Sequence, residues 1–150
     1  MSQFDRNKSL QQLDGQDWGE PSYDSGLVIK CHRLRRVPLR KFTAEHLRMM
    51  IGQHIGLPYL VPVALELLRN DPLTAGDCYE GDLLAAVLRA EAAFWREHPA
   101  LRREAAEIAE RAFTLLPSLD DCDRPTAQDA LTEAHHAFQR AQTTAATQIT

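Results

Sequence analysis

Cysteine is scarce in this chain and never paired in sequence. Cys31, Cys78 and Cys122 stand far apart, with no CxxC among them. That pattern excludes a zinc ribbon and a thioredoxin-like redox pair. The odd number argues against a disulfide framework and so for a reducing compartment. Long apolar runs are missing too. The most hydrophobic stretch, residues 56–68, contains Pro58, Pro62 and Glu66 and is too short to span a bilayer. Residues 1–10 carry Asp5, Arg6 and Lys8 and lack the apolar centre of a secretion signal. A cytoplasmic location is therefore expected. Catalytic signatures are also lacking: there is no GxSxG, no P-loop, no GxGxxG and no HExxH.

What is present suits one globular domain. The chain has 150 residues, 44% of them hydrophobic, enough for a core that needs neither metal nor disulfide. Charged residues make up 25%, which argues against general disorder. The charge is unevenly spread. Residues 1–70 carry a net +3 and residues 71–150 a net −7, within a total of −4. Electrostatic arguments must therefore be regional.

The apolar spacing predicts helices and no strand. A short helix is read over residues 9–13, followed by a turn at 17–21 that Trp18 anchors. Asp24 or Ser25 caps a helix bearing Leu27, Val28, Cys31 and Leu34, which Pro38 ends. Thr43 caps the next, with Glu45 at its positive end and Leu47, Met50 and Ile51 as its buried stripe. Gly52 and Gly56 bracket a break before a helix over 58–69, and the pair Asp71-Pro72 stops it. Asp82 caps a helix holding Leu83, Leu84, Val87 and Leu88. A long helix over 99–116 presents Leu101, Ala105, Ile108, Ala112 and Leu115. A last one from Pro125 presents Leu131, Ala134, Phe138 and Ala141. The expected fold is all-α, a single-domain bundle of five to six helices over 1–150, with residues 1–7 and 143–150 frayed.

Candidate chemistry is sparse. The six histidines do not form a helical metal pair: His46 and His54 lie across the break, and adjacent His135 and His136 point apart. Cys31 and His32 diverge by about 100° on a helix, so Cys31 is read as a core residue and not as a nucleophile. Glu104 and Glu107 are better placed for ion pairs along their helix than for a shared ligand. Neither metal, cofactor nor catalytic residue is expected. A basic cluster of Lys30, Arg33, Arg35, Arg36, Arg40 and Lys41 leaves a nucleic-acid-binding regulator as an alternative, although no aromatic residues are interleaved for stacking. A small metal-dependent hydrolase is a further alternative. The acidic loop 71–82 holds Asp71, Asp77, Glu80 and Asp82 around Tyr79, with no Lys or Arg from 71 to 88. It lacks the alternating oxygen ligands of an EF-hand. Carboxylates that steer and an aromatic that anchors suit a basic protein partner. Asp120, Asp121 and Asp123 form a second acidic turn.

Ser9-Leu10-Gln11-Gln12-Leu13 with Trp18-Gly19, Leu27-Val28 through Cys31-His32-Arg33-Leu34-Arg35, and Pro38-Leu39 are followed by residues 42–53, Ile55-Gly56-Leu57 and residues 76–84. In that order these segments resemble the immunity proteins of contact-dependent growth inhibition (CDI) systems. The resemblance covers about residues 8–97. Two positions depart from the pattern: Cys78 stands where an aromatic is expected, and Ala44-Glu45 where a more acidic pair is. The resemblance implies a non-enzymatic cytoplasmic protein, encoded beside a toxin, that binds and occludes a C-terminal toxin domain delivered by neighbouring cells. Many such toxins are nucleases, so the implied partner is a basic protein. Asp71, Asp77, Tyr79, Glu80, Asp82, Asp120, Asp121 and Asp123 are the candidate contact residues.

Overall fold

The computed structural model describes residues 4–20 and 25–149, with the backbone alone described for 142–149. Among the described residues are eight α-helices, two 3₁₀ turns and no strand. The all-α expectation holds, and the helix number exceeds the expected five to six. The difference lies mainly between Asp82 and Pro99, where the chain forms two short helices separated by an extended Glu91 (φ −61°, ψ 149°).

Local sequence explains the helix starts. Helix α1 (Leu10–Asp14) opens with a reciprocal box in which the Ser9 hydroxyl accepts from Gln12 N–H while the Gln12 side chain accepts from Ser9 N–H. Helix α3 (Ala44–Gly52) repeats the device with Thr43 and the ring of His46. Helix α2 (Gly26–Leu34) departs from expectation. Ser25 makes no side-chain cap hydrogen bond, Asp24 lies outside the described residues, and Leu27 is 40% exposed. Only Cys31 and Leu34 of α2 enter the core, and burial raises the Cys31 thiol above its usual pKa, as suits an inert core residue.

Helix α4 (Leu57–Asn70) runs through the middle of the bundle. Leu57, Leu60, Val61, Val63, Ala64, Leu65 and Leu68 are buried, which covers most of its circumference. Pro58 lies in its first turn and Pro62 one turn further in, close enough to the start for the helix to continue. Gly56 precedes α4 at φ 64°, and a Cβ there would sit 2.8 Å from the Leu10 methyls, so this position admits only glycine.

Helix α5 (Asp82–Leu88) is buried at nearly every position and packs between α3 and α8 (Arg124–Ile149). Helices α6 (Ala92–Glu97) and α7 (Pro99–Leu115) complete the wall. On α7 the core stripe is Ala105, Ile108, Ala109 and Ala112, while Leu115 is 39% exposed and Leu116 takes its place inside. From α8, Ala127, Leu131, Ala134 and Phe138 are buried, with Trp95 edge-on to Phe138 at 5.3 Å.

The described part of the N-terminal segment contacts the bundle at several points. Phe4 packs edge-on to Tyr59, Arg6 pairs with Glu66, and Leu39 and Arg40 donate backbone hydrogen bonds to Lys8 and Arg6. Residues 4–7 thus make contacts with the bundle, and residues 1–3 of the expected frayed segment lie outside the described residues. At the other end the backbone of α8 continues to Ile149, and the side chains of 142–149 and the whole of residue 150 lie outside the description.

Replacing Phe138 with Ala removes a fully buried ring and should cost about 3–5 kcal/mol in urea denaturation. Leu67→Ala, at a site 38% exposed, should cost well under that, about 1 kcal/mol or less.

Candidate partner-binding surface

The acidic loop joins α4 to α5, and its course is set by carboxylates of the protein itself. Asp71 starts it: the side chain accepts from Leu73 N–H at 3.0 Å and its carbonyl accepts from Thr74 N–H. Buried Leu73 pins the loop to the core, and Gly81 N–H donates back to Leu73. Gly81 has φ 88°, and a Cβ there would lie 3.0 Å from Leu131 of α8.

Four consecutive backbone amides then converge on two side chains. Asp82, only 2% exposed, accepts from Gly76 at 2.6 Å, Cys78 at 3.0 Å and Tyr79 at 3.3 Å. Glu45 of α3 accepts from Asp77 N–H at 2.9 Å. A Cβ on Gly76 would stand 2.6 Å from the Glu45 carboxylate, so the loop closes this tightly only around glycine. Arg48 grips Glu45 through Nε and Nη2, at 2.6 and 2.5 Å, and its Nε lies 3.9 Å from Asp82. The Arg48 hydrogen bond, and after it the Asp77 amide, hold the Glu45 carboxyl below its usual pKa despite the opposing effect of burial.

The candidate residues thus separate into two kinds. Asp71 and Asp77 are exposed, and Tyr79 and Glu80 are half-buried. These four form the outer face of the loop. Asp82 is neither exposed nor the helix cap expected of it. Gly81 occupies the cap position, and Asp82 is the first residue of α5, turned back to bind the loop's amides. Asp120, Asp121 and Asp123 are all exposed in the turn before α8, where Asp121 pairs with Arg124 at 2.9 Å. That turn lies eight residues before Leu131, about 12 Å along the helix from where Gly81 packs. The two acidic turns are therefore separate features beside the same helix.

The basic cluster is not a continuous surface. Arg35 is 2% exposed; its Nη2 donates to both oxygens of Asp14 and to Gln16 O at 2.7–2.9 Å, with the guanidinium 4.5 Å from the Trp18 ring centre. Burial alone would raise the Asp14 carboxyl, but the Arg35 hydrogen bond and the Gln16 amide outweigh it and leave the pKa lowered. Arg36 reaches Gly19 O and the carboxylates of Glu20 and Asp17. The two central cations clamp residues 14–20 onto α2, leaving Lys30, Arg33, Arg40 and Lys41 at the surface. This fits a structural role for the cluster better than a nucleic-acid groove.

A family model described as CDI immunity proteins matches residues 12–105, well over half of the chain. The chain belongs to the CDI immunity proteins. The matched region starts within α1 and ends within α7, so it contains the loop, Glu45, Arg48 and Asp82, but not the turn 120–123. No curated protein and no solved structure matches the chain. Among the described residues of this immunity protein no three His, Cys, Asp or Glu side chains are grouped to hold a metal. No helix among them is long and apolar enough to cross a membrane.

The sequence pattern gave no sign of a cleft of about 270 Å³ beside the loop, between the end of α3 and α5, whose lining includes Arg48, His54, Tyr79, Asp82 and Arg89. Among the described residues His54 is the one non-glycine with positive φ, at 58°. The Glu45–Arg48 spacing of three was a visible helical pair. Nothing in the sequence placed that pair against a loop thirty residues later.

Asp82→Asn keeps the shape but removes the charge from three buried amide contacts. It should cost about 1–3 kcal/mol and speed amide exchange at Gly76, Cys78 and Tyr79, with helicity unchanged by circular dichroism. Acid sensitivity gives a second check. Because the Glu45 pKa is lowered in the folded state, its contribution is complete above the unfolded value and fades as pH falls through the folded one. Wild type should therefore lose more stability than Glu45→Gln between about pH 5 and pH 3.

Proposed function

We propose that this CDI immunity protein binds the cognate toxin domain in the cytoplasm and neutralises it by occlusion, without catalysis, and that the outer face of loop 71–82 forms part of the contact. One observation carries this reading. The loop's amides are satisfied internally by Asp82 and Glu45, so a firmly held segment presents Asp71 and Asp77 outward, with Glu80 and Tyr79 half-buried beside them. Charge placed on a fixed loop can steer a partner without first ordering it.

The partner that fits best is a basic nuclease. Enzymes that hold phosphates need positive sites, and an acidic inhibitor surface competes for them directly. Such an inhibitor must outcompete abundant substrate, and bacterial nuclease–immunity pairs reach about 10⁻¹³ M or tighter. A standard interface takes roughly 20–30 residues a side, so the loop supplies only part of it. Asp120, Asp121 and Asp123 are a second, outlying contribution.

The test is the double variant Asp77→Lys with Glu80→Lys, measured against the purified cognate toxin domain at low salt. Its association rate should fall by at least about tenfold, with the gap narrowing as salt rises, and cells carrying it should lose protection. Unchanged association together with full protection would place the contact elsewhere.

A further inference from the structure

The cleft between α3 and α5 lies directly beside the acidic loop and differs from it in having two arginines, Arg48 and Arg89, in its lining with one carboxylate, Asp82. Its carboxylate is already used: both oxygens of Asp82 accept loop amides. Donors without a close partner are also present in the cleft. Arg48 has Nε and Nη2 fixed on Glu45, and its Nη1 has no partner among the described residues. The guanidinium is therefore held in one orientation before any ligand arrives, and the Glu45 hydrogen bond above all keeps it protonated. Arg89, at the C-terminal end of α5, is 46% exposed in its side chain and meets Glu133 only at 3.8 Å. The Tyr79 hydroxyl makes no hydrogen bond among the described residues, and its pKa is raised, first by burial, with Arg89 acting against that. His54 reaches the rim from a left-handed backbone conformation that most side chains avoid.

We propose that this cleft is a socket for one carboxylate side chain, an Asp or Glu of the bound toxin, received by Arg48, Arg89 and the Tyr79 hydroxyl. The proposal rests on the toxin-binding reading above and extends it. A volume of about 270 Å³ accommodates a single acidic side chain. Charge complementarity selects the source. A polyanion such as RNA would bring further phosphates against Asp77 and Glu80 next door, whereas a lone carboxylate on an otherwise basic protein satisfies both signs together. An acidic face beside a cleft that offers fixed arginine donors also sets register and rejects toxins that lack the acidic residue. The acidic loop governs encounter, and the socket governs retention and partner choice.

The experiment measures binding kinetics of the purified cognate toxin domain to wild type, Arg89→Glu, Arg89→Gln and Arg89→Lys at physiological salt. Arg89→Glu should weaken binding by about a hundredfold or more, almost all of it in the dissociation rate; Arg89→Gln should weaken it less, and Arg89→Lys should stay within about tenfold of wild type. Replacing the toxin's Asp and Glu residues one at a time with Arg should yield one variant that recovers at least about tenfold of the loss with Arg89→Glu. Arg89 is a surface residue, so thermal midpoints should be unchanged; if Arg89→Glu alone is destabilised, the comparison of Arg89→Gln with wild type decides. Wild-type binding with Arg89→Gln and Arg89→Glu within about threefold of it overturns the socket and leaves the toxin-binding reading intact. No compensating toxin residue overturns the carboxylate. Binding of labelled RNA by the free protein that is lost in Arg89→Glu overturns the choice of a protein ligand. No wild-type binding at all overturns both readings.

Discussion

A carboxylate buried at the first position of α5 would be costly if left without partners. Asp82 escapes that cost because the loop before it folds back and supplies three amides. The dependence runs both ways: those amides would otherwise lie part-buried and unsatisfied, since the loop forms neither helix nor strand. Glu45 takes the one amide in the series that Asp82 does not, and Arg48 holds Glu45 in place. Helix α3, the loop and α5 are thus joined through one polar knot laid over an apolar core of Leu47, Met50, Ile51, Leu83 and Leu84. The shape of the acidic face and the neighbouring cleft follow from that knot.

The two halves of the chain use charge differently. In the first half, three cations tie segments together while Lys30, Arg33, Arg40 and Lys41 stay at the surface: Arg35 is buried on Asp14, Arg36 spans Gly19, Glu20 and Asp17, and Arg6 meets Glu66. These pairs hold the N-terminal segments to α2 and α4, where short helices bury little apolar surface of their own. In the second half, Asp71 and Asp77 are exposed and Glu80 is half-buried. Asp71 also starts the loop by accepting from Leu73 N–H.

How much of this was readable depended on the range of each interaction. Helices α3, α7 and α8 were legible because their buried residues recur at three and four positions, and Ser9 and Thr43 announce their helices through contacts three residues away. Helix α6 was missed because six residues give too little periodicity. Leu27 and Leu115 were apolar and in phase but sit at helix ends, where the core has already receded. Asp82 looked like a cap because sequence displays the helix after it and not the loop that curls over it. The acidic loop itself was visible as composition. Its partners were not, since Glu45 and Arg48 belong to another helix and Arg89 lies beyond the acidic run. The partners of Arg35 and Arg36 were hidden for the same reason: they lie up to 21 positions earlier.

If the proposed face is the knot-held loop with the cleft beside it, hydrogen-exchange mass spectrometry of the protein alone and in complex with its cognate toxin domain will locate the contact there. Complex formation should slow exchange over residues 71–82, around His54 and at the end of α5 near Arg89, and leave α2 and the 3₁₀ turn at Leu39–Lys41 unchanged. Slowed exchange confined to α2 and that turn, with the loop unaffected, would contradict it.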